Sequence, residues 1–213
     1  MATAEAKAQI STRDRLVAGV IELSADRPTD EVKVEEVLEL TGISTGSLYH
    51  HFEDFGHLQE TAMVERYNEL LKAGLVMVAA ALDEATSFDD IQQRIATAGI
   101  AYGKLNTPES RFERARILAK AEHHERLREA LSAAQQEVTD ALTAMLSRAQ
   151  ARNDWINPDI DPRALAVFMQ SYTFGRLVDD LATEPMRQED WQILITTIFN
   201  QALLRDPGTQ PGR

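Results

Sequence analysis

The sequence predicts an all-α protein in which an N-terminal three-helix helix-turn-helix domain precedes a larger helical domain. Two observations carry this expectation. After the first ten residues, apolar side chains recur at three- and four-residue intervals, whereas alternating β-branched runs are nowhere sustained. The breaks between these segments are short and hold Pro, Gly, Asn or Ser.

The first helix is expected over residues 11–25, capped by Ser11, with Leu16, Val20 and Leu23 as its apolar seam. Arg27-Pro28-Thr29-Asp30 breaks the chain. Residues 34–52, VEEVLELTGISTGSLYHHF, then fit two short helices pivoting at Gly42. Val34, Val37 and Leu38 give the first of these an inward face. Gly42 supplies the positive φ that ends a helix sharply, and Ile43 plugs the corner. Ser44 or Thr45 caps the second helix and leaves its amide-rich N-terminus open to a phosphate. Leu48 and Phe52 face inward, with His51 packing, while Gly46, Ser47, Tyr49 and His50 point outward. That outward set is small or hydrogen-bonding and holds no acidic group, as a surface entering a DNA groove requires.

A long helix is expected over residues 55–82, carrying Leu58, Met63, Tyr67, Leu70, Leu71, Leu75 and Val76. Thr86-Ser87 caps the next, with Asp89 and Asp90 in its first turn where the macrodipole favours them, and it ends near Leu105 before Asn106-Thr107-Pro108. Helices over 109–123 and 125–152 follow, then a loop over 153–162 containing Trp155. Closing helices over 162–183 and 188–204 are separated by Glu184-Pro185. The tail 206–213 is expected to fray. The domain division is therefore 1–54 and 55–205.

The closing pair is more apolar than one domain needs. Trp191, Leu194, Ile195, Ile198, Phe199, Ala202 and Leu203 form a stripe along the last helix. The preceding helix is apolar on two sides, Leu165, Phe168, Met169 and Tyr172 on one and Val167, Phe174, Leu177 and Leu181 on the other. One stripe suffices for a helix packed only on its own domain. The second side points to another subunit, the alternative being a helix buried centrally in a monomer. Phe174, Leu177, Leu181, Trp191, Leu194, Ile195, Ile198 and Phe199 are the expected interface residues.

Val34-x-x-Val37, followed by Gly42-Ile43-Ser44-x-Gly46-Ser47-Leu48-Tyr49-x-His51-Phe52, resembles the DNA-binding signature of the TetR family of bacterial transcriptional regulators. The match covers about the first quarter of the chain. It implies a repressor that contacts a near-palindromic double-stranded operator through Ser44, Thr45, Gly46, Ser47, Tyr49 and His50, with Arg13 and Lys33 as nearby cations. It also implies a homodimer built on the last two helices, and release from DNA by a small-molecule effector among the C-terminal helices. Tyr102, Phe112, Phe168, Met169 and Tyr172 are candidates to line that pocket, with Arg176, Arg94 and Arg116 as anchors for an anionic ligand. Four positions depart from the family pattern. Phe55 stands where a phosphate-touching lysine is common, so that contact is absent. Lys33 replaces a capping threonine and serves at most as a point charge to phosphate. Leu38 and Thr41 replace alanines, which alters how the two short helices pack.

Composition limits the alternatives. The 213 residues are 44% hydrophobic and 26% charged, ordinary values for a globular protein. No apolar run reaches membrane-spanning length and the alanine-rich start lacks a hydrophobic signal segment, so a cytoplasmic protein without membrane contact is expected. Cysteine is absent, which removes disulfides and thiolate ligands. Glu122-His123-His124-Glu125 is the densest ligand-like cluster, but adjacent helical residues diverge by roughly 100° and cannot all reach one ion. No nucleophile elbow, phosphate-cradling glycine loop or pair of acids in an apolar context is found, so neither metal, cofactor nor enzymatic activity is expected. The net charge of −12 runs against DNA binding, and residues 1–57 carry five basic and eleven acidic residues. It favours an alternative, an all-α interaction protein with a non-functional helix-turn-helix; a helical enzyme is less favoured still.

Overall fold

Ser11 opens the helical chain by accepting the amide of Asp14 on its hydroxyl at 3.1 Å, and α1 runs over Thr12–Leu23. The computed structural model describes residues 10–153 and 155–206. A 3₁₀ turn over Thr29–Glu31 replaces the expected break, and α2 (Val34–Thr41) and α3 (Thr45–His51) follow. The long α4 spans Phe55–Glu84, with α5 over Phe88–Leu105, α6 over Pro108–Ala121 and α7 over Glu125–Asn153. Among the described residues no strand forms; one antiparallel bridge joins Ile156 to Leu204. The all-α expectation holds. Of the tail expected over 206–213, residues 207–213 lie outside the described residues.

The helices begin where side chains satisfy their first amides. Asp54 accepts from the His57 amide at 2.6 Å, Ser87 from Asp90 at 3.1 Å, Thr107 from Ser110 at 3.3 Å and Asp161 from Ala164 at 2.8 Å. Pro108 and Pro162 occupy first-turn positions, where a missing N–H costs nothing.

The spine of the fold is α4, which contributes to three apolar clusters in succession. Leu58 and Ala62 join Leu16, Val20, Val37, Leu48 and Phe52. Met63, Tyr67 and Leu71 join Ile117, Leu127, Leu131 and Val138. Ala81 and Leu82 join Ile91, Leu142, Leu146, Leu165 and Leu204. Val76, expected on the seam, is 67% exposed. It stands one residue off the line Leu71, Leu75, Val78, Leu82, and one residue is about 100° of helix rotation.

The C-terminal third departs most from expectation. The helix expected over 162–183 stops early, as α8 (Pro162–Gly175), and a single turn, α9 (Leu177–Asp180), follows. The break is held by buried polar contacts. Asp180, 4% exposed, takes both its oxygens to Arg111 at 2.5 Å, and Arg111 is 1% exposed. Asn106 donates to the Thr173 carbonyl at 2.8 Å and accepts from Arg111 through its own carbonyl. Arg176 donates to Gln188 Oε1 and to the Met186 carbonyl, while Asp179 accepts the Met186 amide at 2.7 Å. The last helix, α10 (Gln188–Ile198), widens into a π turn over Phe199–Leu203. The 155–157 loop then pairs with the following residues through Asn157 N–H to the Leu203 carbonyl at 2.9 Å and Arg205 N–H to the Trp155 carbonyl at 2.8 Å.

Candidate functional site

The turn between α2 and α3 rests on backbone geometry. Gly42 adopts φ 66°, a left-handed conformation that any side chain would strain, and its amide closes on the Leu38 carbonyl at 3.0 Å. Ile43 then enters the first cluster, and Ser44 caps α3 by accepting the Ser47 amide at 3.2 Å. Arg15 donates to the Thr41 carbonyl at 2.7 Å, satisfying the C-terminus of α2. Gly19 permits the close crossing of α1 over α2: a Cβ there would lie 2.6 Å from Thr41 Cγ2.

Leu48 is fully buried and Phe52 is 2% exposed, so α3 is anchored along one edge. Thr45, Gly46 and His50 are exposed, Tyr49 is half exposed and Ser47 is partly covered. No acidic residue lies within α3. His51, expected to pack, is exposed; Leu48 and Phe52 fill the inner edge, and the His51 ring lies edge-on to His50 at 5.2 Å. Arg13 is exposed on α1 with its guanidinium 5.5 Å from the Phe52 ring centroid, which sets a cation beside the end of α3. Lys33 is exposed at the N-terminus of α2, and its backbone amide, rather than its side chain, is bound by Glu36 at 2.8 Å. Hydrogen bonding from Arg27, and then from the Lys33 amide, holds the Glu36 carboxyl below the usual glutamate range. The Ser44 hydroxyl is committed to its cap. Phe55 packs against the first cluster, away from a role at phosphate.

Three cations tie this head to the helices behind it. Arg66 pairs with Glu113 at 2.5 Å and donates to the Ser24 carbonyl at 2.9 Å, linking α4, α6 and the end of α1. Arg126 at the start of α7 reaches Glu60 at 2.5 Å, Glu53 at 3.1 Å and Asp54 at 3.3 Å. Lys120 approaches Asp30 at 3.6 Å. The His57 amide, and then Arg126, hold the Asp54 carboxyl below its ordinary value of 3.8. Sequence reasoning passed over Arg66 and Arg126, because their partners lie far along the chain.

An apolar cavity of about 110 Å³ lies among α4, α5, α7, α8 and α10. Leu75, Val78, Ile95, Leu142 and Leu165 line it, with Tyr102, Met169 and Tyr172 of the expected set. Its polar groups are neutral: Gln170, Thr173, Gln192, Thr196 and the two phenols. Burial pushes the Tyr172 phenol up to about 12. Two expected lining residues, Phe168 and Phe112, and one expected anchor, Arg176, are absent from its wall. Phe168 stacks behind it on Tyr172 and Phe199, at 5.6 and 6.4 Å between centroids. Phe112 is on α6, which does not border the cavity. Arg176 is occupied by Gln188 and Met186. Of the other expected anchors, Arg94 pairs with Glu84 and Asp90, and Arg116 is exposed.

The expected interface residues divide between two faces. Ile195 and Phe199 are buried and line the cavity, so the stripe on the last helix serves its own chain along that edge. Leu194 is 48% and Leu181 77% exposed, joined by Ile193 and Val178, which sequence reasoning omitted. Trp191, Ile198, Phe174 and Leu177 are partly covered, and Phe174 lies under the Arg114 guanidinium. No described helix is long and apolar enough to cross a membrane, and no cluster of metal-ligating side chains occurs among the described residues.

No family model matches the chain, and no curated protein matches it in sequence. Solved structures do match. GusR of Salmonella enterica is 20% identical with a TM-score of 0.63 over 90% of this chain and 94% of its own. A candidate TetR-family transcriptional regulator from Rhodococcus sp. is 23% identical with a TM-score of 0.62, covering 90% of this chain and 97% of its own. A candidate transcriptional regulator from Saccharomonospora viridis in complex with choline is 13% identical with a TM-score of 0.62, over 92% and 100%. The chain therefore has the fold of TetR-family regulators, as its helix-turn-helix residues led one to expect.

Proposed function

We propose that this protein is a TetR-like DNA-binding transcriptional regulator, a cytoplasmic repressor released from a near-palindromic operator by a small molecule, and not an enzyme. The observation that carries the reading is the outward face of α3. Thr45, Gly46, Tyr49 and His50 are presented without an acidic neighbour in the helix, on an element fixed by the Gly42 turn and by buried Leu48 and Phe52. These side chains read base edges, and the α3 amides with Arg13 and Lys33 meet phosphate. Residues 1–54 act as the reading head and 55–205 as the effector and dimerisation unit.

The exposed apolar side chains Val178, Leu181, Ile193 and Leu194 support a homodimer. A two-fold dimer places two α3 helices on successive turns of one face of the duplex, with half-sites roughly 34–36 Å apart or somewhat more. The apolar cavity supports an effector site. At about 110 Å³ it is smaller than an engineered cavity of roughly 150 Å³ that holds benzene, so a larger ligand must push the surrounding helices apart. Since α4 belongs both to the cavity wall and to the first cluster, that displacement reaches the head. A typical coupling of about 1–3 kcal/mol weakens operator binding by roughly 5–150-fold.

Selection of bound fragments from genomic DNA tests the proposal. Enrichment of a near-palindromic sequence is expected. No enrichment at low salt would overturn DNA binding, and with it regulation.

A further inference from the structure

A second opening, of about 440 Å³, lies among α4, α6, α7 and α8 and shares Leu71 and Gln170 with the apolar cavity. Two arginines, Arg114 and Arg163, line it together with glutamines, hydroxyls and apolar side chains, and no Asp or Glu is among its lining residues. That is a notable composition in a chain of net charge −12.

Arg114 is the unusual member. It is 4% exposed, yet no carboxylate among the described residues forms an ion pair with it. Its Nη2 donates to Asn106 Oδ1 at 2.8 Å, its guanidinium lies 5.5 Å from the Phe174 ring centroid, and its Nε has no hydrogen-bond partner. Arg111, one turn earlier on α6, is equally buried but is held by both oxygens of Asp180. Arg163 has its own counter-charge in Asp140 at 2.8 Å. A buried guanidinium without an anion is costly, because low dielectric penalises an uncompensated charge. The cleft thus lacks one negative charge at the position Arg114 faces.

We propose that this cleft binds a small organic monocarboxylate, its carboxylate against Arg114 and its apolar body along Leu71, Leu118 and Val167. One uncompensated cation matches a monoanion better than a phosphate dianion, and with Nη2 held by Asn106 and Nε buried, Nη1 is the nitrogen left to donate a charge-assisted hydrogen bond to the carboxylate. The volume lies in the range of small-molecule sites. Gln135 and Thr139 also line the cleft, but they are bound to one another and to Tyr67 and Gln170, which leaves Arg114 as the group that selects the ligand. The site stands on binding alone, independently of DNA recognition.

Calorimetric titration of the full chain with linear carboxylates from acetate to octanoate, against the matching primary alcohols, tests this. The carboxylates should bind at least about tenfold more tightly than their alcohols, the scale of a charge-assisted hydrogen bond. Arg114→Gln should remove the difference, and Arg114→Lys should keep part of it. Ser132→Trp, which fills the cleft from an exposed lining position, should abolish binding in a chain whose circular dichroism is unchanged. Equal binding of acids and alcohols, or a preference that survives Arg114→Gln, would overturn the proposal. If Arg114→Gln does not fold, retention of the preference in Ser132→Trp overturns it equally.

Discussion

Leu48 and Tyr49 are neighbours in α3 and should respond to truncation in opposite ways. Leu48 is fully enclosed by the first cluster, among Leu16, Val20, Val37 and Phe52. Leu48→Ala removes its apolar burial and leaves a cavity that fixed backbone cannot fill, for about 2–5 kcal/mol. In a chain of this length that corresponds to a drop in melting temperature of roughly 4–20 °C. Tyr49 is 51% exposed and belongs to no apolar cluster described above, so Tyr49→Ala should shift stability by only about 0.5 kcal/mol. If its ring and hydroxyl meet DNA, the same change should cost about 1–3 kcal/mol of binding, or roughly 5–150-fold in Kd. Urea unfolding of both variants, with fluorescence anisotropy on a selected operator, separates the two effects. Comparable loss of stability in both, or unaltered DNA affinity in Tyr49→Ala, would refute the assignment of faces.

Asp180→Ala leaves Arg111 buried and unpaired and should destabilise by about 3–5 kcal/mol, read as a lower urea midpoint. Gly19→Ala places a Cβ 2.6 Å from Thr41 Cγ2 and should cost about 1–3 kcal/mol by overpacking; unchanged stability would mean α1 and α2 separate freely. Leu181→Asp with Leu194→Asp should convert a dimer to monomer in sedimentation at micromolar concentration without altering helix content, and a wild-type monomer under those conditions would end the dimer proposal. The depressed Asp54 carboxyl contributes stability above about pH 4, where the unfolded group is ionised, and loses it as pH falls through the lower folded value. Asp54→Asn should therefore reduce the loss of unfolding free energy below pH 4.

Short-range chemistry made the head legible in the sequence. A cap, a turn glycine and an apolar residue at fixed offsets act on their own neighbours, so Ser44, Gly42, Ile43, Leu48 and Phe52 declare their roles within eleven residues. Helix starts at Ser11, Ser87 and Pro162 were legible for the same reason. Side-chain direction was harder. The pattern on the last helix groups Leu194 with Ile195, yet one is half exposed and the other lines the cavity, because adjacent helix positions point about 100° apart.

Long-range pairing was invisible. On α6, with the run Arg111-Phe112-Glu113-Arg114-Ala115-Arg116, nothing in the spacing says which arginine is buried. Arg116 was singled out, whereas Arg111 and Arg114 are the enclosed pair. The sequence by itself determined the helix-turn-helix, most of the helices and the caps at Ser11, Ser44 and Ser87, since each follows from contacts within a few residues. The tertiary structure alone decided that α8 breaks at Gly175, that Asp180 neutralises Arg111, and that Arg114 lies in a cleft without a counter-charge. Those outcomes depend on which helices meet across 60 or more residues of chain, as in the 69-residue separation of Arg111 from Asp180, and no local periodicity encodes such a meeting.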